Sequence, residues 1–92
     1  MQRRKAMEFL IIAFKSREES TKFNKLLKDF GINSSLTSTP KEAGLACGLS
    51  VRVDKGYYYA VRRVLNNVKS KTFVGIFSVK VVNGRNVVKT IY

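Results

Sequence analysis

Residues 9–14 read F-L-I-I-A-F, six apolar side chains in succession. The run is far short of the ~20 residues a helix needs to cross a bilayer. It is also shorter than the ~7–15 apolar residues of a signal-peptide core. A greasy stretch of this length, without helical period, fits a strand buried on both faces, and therefore one central in its sheet. Ninety-two residues make one domain over 1–92, near the lower end of the usual size range. Residues 1–7 carry three cations without hydrophobic period and read as a flexible basic arm ahead of that strand.

Residues 16–19, S-R-E-E, form a capping box, in which the Ser16 hydroxyl accepts from the Glu19 amide and the Glu19 carboxylate reaches back. Phe23, Leu26, Leu27 and Phe30 then recur at i, i+3, i+4, i+7, one apolar helix stripe. Glu18 and Lys22 are spaced for a helical ion pair, and Gly31 sits where a left-handed cap is wanted. Residues 32–37 alternate weakly as a second strand, which Thr39-Pro40 stops because proline cannot donate to a ladder. Residues 41–47 read as a loop.

Beyond the loop, Leu49, Val51 and Val53 alternate with Ser50, Arg52 and Asp54, a strand with one wet face. Asp54 is placed to cap a second helix over about residues 55–68. Its inner stripe is Tyr57, Val61, Val64, Leu65 and Val68, and its outer face is Tyr58, Tyr59, Arg62, Arg63 and Asn66. Residues 73–82 form a further strand. Asn83-Gly84 between valine-rich flanks is a strong hairpin signal, so residues 86–92 should pair back as an edge strand. The order β-α-β-β-α-β plus a terminal strand gives the α+β class: a ferredoxin-like sandwich with an extra C-terminal hairpin strand. Right-handed crossovers then put strands one and four in the centre.

Chemistry concentrates in residues 38–53, S-T-P-K-E-A-G-L-A-C-G-L-S-V-R-V, which hold the only proline, Pro40, and the only cysteine, Cys47. One cysteine excludes an intrachain disulfide, and the absence of histidine excludes a Cys/His zinc site or a cysteine–histidine catalytic pair within the chain. There is no phosphate-loop motif and no evident carboxylate pair, so neither a metal nor a cofactor is expected and an ordinary enzyme is the least supported class. Cys47 remains as a candidate nucleophile. Thiolate is the reactive form, and nearby cations favour it; Lys41 and Arg52 are close in sequence. Gly44 lends the loop freedom and Gly48 permits close approach of a partner. Against this, Leu45, Ala46 and Leu49 make an apolar neighbourhood, and free cysteine is often simply buried.

The block from Thr39, Pro40 and Lys41 to Cys47-Gly48 and the alternating strand resembles the signature of the selenium/sulfur carrier protein-like family of small bacterial proteins. The likeness covers roughly residues 9–77. Lys41 stands where arginine is expected, and residues 81–92 run past the usual end. The resemblance implies a thiol carrier: Cys47 holds a sulfane sulfur or selenium atom and exchanges it with donor and acceptor proteins. Thr39, Pro40 and Gly48 would shape the loop, and Lys41 and Arg52 would support the anion.

The net charge of +12 suggests other partners. Residues 55–92 hold eight Lys or Arg and no acid. Such a surface attracts polyanions, and Tyr58, Tyr59, Arg62 and Arg63 interleave aromatic and basic side chains as a nucleic-acid contact would. The aromatic RNA-binding strand motif is absent; T-F-V-G-I-F at residues 72–77 lacks its basic-glycine start. Val87, Val88 and Ile91 on an edge strand suit edge-to-edge homodimers. The absence of any spanning run points to the cytoplasm.

Overall fold

A computed structural model describes residues 7–44 and 46–92. The elements are β1 (Met7–Phe14), α1 (Arg17–Asp29), β2 (Ser34–Ser38), β3 (Leu49–Asp54), α2 (Tyr58–Val68), β4 (Phe73–Val82) and β5 (Arg85–Thr90). Short 3-10 turns at Lys41–Ala43 and Lys55–Tyr57 precede β3 and α2. The basic arm expected over residues 1–7 lies outside the described residues, apart from Met7, which begins β1.

The domain is α+β: one antiparallel five-stranded sheet, order β2-β3-β1-β4-β5, with two helices. The greasy run is buried on both faces, with residues 10–14 at most 2% exposed. Leu10, Ile12 and Phe14 face the main core, which both helices close with Phe23, Leu27, Val61, Val64 and Leu65. Ile11 and Ala13 face the opposite side, with Ala43, Phe77 and Val79. Each fully buried Val, Leu, Ile or Phe side chain among these contributes about 1.5–3 kcal/mol relative to exposure. β1 alone is the middle strand. The expectation of strands one and four as the central pair is corrected: β1 is flanked by β3 as well as β4, because the ladder between β3 and β1 places β3 inside β2, while β5 keeps β4 from being an edge.

Local chemistry explains the ends of α1. Ser16 caps it, its Oγ accepting from the Glu19 N–H at 3.2 Å. The C-terminus is a Schellman motif. Gly31, at φ 80°, donates to Lys28 O at 2.9 Å, and Ile32 donates to Leu27 O at 2.9 Å. Two expectations fail here for that reason. Ile32 folds back into the core beside Leu27, so β2 starts only at Ser34. Phe30, at the cap, leaves the stripe and is 60% exposed. Glu18 and Lys22 form no ion pair among the described residues, whereas Lys55 Nζ meets Glu8 Oε1 at 3.1 Å.

The second helix also starts differently. The Asp54 carboxylate accepts from the Gly56 N–H at 3.0 Å and caps the 3-10 turn, so the α-helix proper begins at Tyr58. Val61, Val64 and Leu65 are buried as expected, while Tyr58 and Arg62, expected on the outer face, are half-buried. The hairpin has Asn83 at φ 52° and Gly84 at φ 77°, the paired left-handed residues that an Asn-Gly turn of this kind requires. β5 then runs along β4 as an edge strand, and Ile91 continues the ladder with an N–H bond to Ile76 O at 2.8 Å.

Candidate thiol site

The connection between β2 and β3 is a ten-residue loop closed at its base. The Thr39 N–H donates to Gly48 O at 3.2 Å, and the Thr39 and Ser50 hydroxyls bond one another. Pro40, with φ −67°, leads into the 3-10 turn, where Ala43 donates to Pro40 O at 3.0 Å. Gly44, at φ 62°, donates back to Lys41 O at 3.0 Å. Ala43 and Ala46 pack onto Ile11, Ala13 and Phe77. The loop therefore lies against the sheet face that carries no helix, and it buries Ser50 on the side of β3 expected to be wet. Gly44 serves a defined turn rather than free movement. Gly48 has no left-handed φ, and a Cβ there would meet nothing within 4 Å, so the fold does not demand glycine.

Cys47 leaves this loop toward α1. Its N–H donates to Phe14 O at 2.9 Å, which fixes it beside the last residue of β1. Its Sγ donates to Leu49 O at 3.1 Å. The same carbonyl accepts from Ser20 Oγ at 2.8 Å, and the two side-chain atoms lie 3.9 Å apart. Ser20 is fully buried, one turn past the α1 cap, and Cys47 is half-exposed. The sulfur thus has a polar niche, a carbonyl and a hydroxyl, rather than a sealed aliphatic one. A thiolate has no proton to offer Leu49 O, so this hydrogen bond is one that the thiol form makes.

Other expected site residues are dispersed. Arg52 stands over the Phe9 ring at 3.7 Å, on the helix-free face and paired with Ile11 in the ladder, while Cys47 points toward α1. Lys41 is exposed on the 3-10 turn. Ser20 was not foreseen, although a serine on the inward stripe of α1, at i relative to Phe23 (i+3) and Leu27 (i+7), was a readable signal.

The aromatic-basic quartet on α2 divides in two. Tyr59 is 76% exposed and Arg63 is exposed. Arg62 lies 3.8 Å over the Tyr92 ring and donates to Tyr58 Oη at 3.4 Å, while Tyr58 donates to Ile91 O at 3.4 Å. The hydrogen bond that Arg62 donates to Tyr58, opposed by desolvation and helped by Tyr92, raises the guanidinium above its already high range. That pair fastens the C-terminal strand to α2.

A family described as "Putative Se/S carrier protein-like" matches residues 9–74. The chain belongs to this family. The match runs from β1 to the start of β4, includes the whole closed loop with Cys47, and leaves β5 outside. No curated protein and no solved structure matches the chain. No helix among the described residues is long and apolar enough to cross a membrane.

Proposed function

We propose that this member of the Se/S carrier protein-like family holds a sulfane sulfur or selenium atom on Cys47 and passes it to a partner. One observation carries the reading. The only sulfhydryl of the chain lies inside the family-matched span, half-exposed, on a loop whose base and 3-10 turn are hydrogen-bonded and whose Cys47 N–H is held by Phe14 O. The Cys47 thiolate attacks the outer sulfur of a donor persulfide, R–S–SH. A bond forms between Cys47 Sγ and that sulfur, the donor S–S bond breaks, and R–S⁻ leaves. The product, Cys47–S–SH, gives the outer atom to an acceptor thiolate by the same exchange, which returns Cys47–S⁻. No electrons are gained or lost overall, and the rate follows the ionised fraction and access to the sulfur.

Loop and fold serve that exchange. Pro40 and the Thr39 bonds hold the loop base, Ser20 positions the carbonyl that the thiol rests on, and Gly48 leaves room beside the sulfur. The order β2-β3-β1-β4, with both helices on one face, supports a ferredoxin-like sandwich to which β5 has been added. A single unpaired thiol suits a reducing cytoplasm. Incubating reduced protein with a small persulfide donor and weighing it intact tests the proposal. Wild type gains one sulfur and Cys47→Ser gains none; wild type that gains none removes the reading.

A further inference from the structure

The end of the sandwich that carries Cys47 also carries a cleft of ≈ 590 Å³ between α1 and the C-terminus of α2. Its floor is apolar, made by Phe23, Leu26 and Val68. Exposed lysines ring it: Lys22 on α1, and Lys69 and Lys71 after α2, against one acid, Glu19. Ser70 and Thr72 add hydroxyls to the same rim. The cleft is tied to the thiol through the last turn of β1. Phe14 O takes the Cys47 N–H at 2.9 Å, and the next amide, Lys15 N–H, donates to Thr72 O at 2.7 Å. The backbones of Cys47 and of Thr72 at the cleft edge thus flank one strand end, about two strand spacings or roughly 10 Å apart.

We propose that this cleft docks an acidic polypeptide segment of the protein that exchanges sulfur with Cys47. Charge complementarity selects the occupant: three ammonium groups meet carboxylates, and the apolar floor takes an aliphatic side chain between them. Complementary charge of this kind steers encounter and fixes register, so the partner's sulfur arrives at Cys47 already oriented. A nucleic acid is the poorer fit. The one aromatic ring in the lining, Phe23, is 2% exposed and offers no face for a base to stack on. The docking rests on the carrier reading for its purpose, and on the cleft alone for its place.

The test uses a fluorescein-labelled peptide, E-E-L-E-E-L-E-E, titrated against the whole chain and mapped by amide chemical shifts. Shifts centred on Lys22, Leu26, Val68 and Thr72 support the proposal. Lys22→Glu with Lys71→Glu then weakens binding roughly tenfold, whereas Lys80→Glu with Lys89→Glu, an equal change in net charge on β4 and β5, stays within about twofold. Equal weakening by both pairs, shifts centred elsewhere, or tighter binding of oligo-dT to the same residues would overturn it. Each variant is also loaded from inorganic polysulfide and weighed. Loading equal to wild type in both pairs shows that the lysines act on the partner, and loss of loading in the Lys22/Lys71 pair alone overturns the docking role. Failure of wild type to load overturns the carrier reading instead, and the peptide map still decides the docking.

Discussion

Ser20 and Cys47, twenty-seven residues apart, both donate to the carbonyl of Leu49, at 2.8 and 3.1 Å. A buried helix hydroxyl and a half-exposed thiol therefore share one acceptor at the start of β3. Ser20→Ala removes a buried hydrogen bond and costs about 1 kcal/mol in a urea titration. It also leaves the thiol as the side-chain donor to that carbonyl and takes the nearest hydroxyl away from the sulfur. Alkylation of Cys47 by iodoacetamide slows in this variant; an unchanged or faster rate contradicts the arrangement.

The glycines separate by backbone. Gly31 holds φ 80° in the Schellman turn with open space around it, so Gly31→Ala pays only the left-handed dihedral, about 1 kcal/mol by denaturant midpoint. Gly48 has neither a left-handed φ nor a neighbour within 4 Å of a Cβ, and Gly48→Ala changes stability by less than about 0.5 kcal/mol. A large loss at Gly48 would show that the loop base is tighter than the structure has it.

Arg62 lies over Tyr92 and bonds Tyr58, which in turn reaches Ile91 O. In Arg62→Ala the Ile91 and Tyr92 amides, which donate to Ile76 O, exchange their hydrogens faster, while the β1 amides keep their protection. Uniform acceleration through the sheet would instead mean that Arg62 supports the whole fold.

Much of the fold was legible because local signals agreed with one another. The run at residues 9–14, the Ser16 cap, the Gly31 terminator and the Asn83-Gly84 turn each name a backbone state through steric or hydrogen-bonding rules, and each is found. Boundaries that depend on tertiary packing were not legible. Ile32 reads as a strand residue until the Schellman turn folds it onto Leu27. Arg62 and Tyr58 read as an outer face because nothing local announces that Tyr92 returns to cover them. In the site, Cys47 and its loop stood out by composition. The position of Arg52 over Phe9 did not, since strand alternation sends it to the sheet face away from the helices and only the ladder register places Phe9 beside it. The role of Ser20 needed the β3 start and α1 together, a contact twenty-nine residues long in sequence.

The carrier account stands or falls on whether Cys47 takes up an atom and gives it back. Reduced protein is loaded from a persulfide donor bearing a heavy sulfur isotope, freed of donor, and mixed with a small thiol acceptor, and both species are weighed over time. The account predicts that the heavy atom joins Cys47 and then moves to the acceptor, with the protein returning to its starting mass. A protein that never gains the atom, or that keeps it in the presence of excess acceptor thiol, contradicts it.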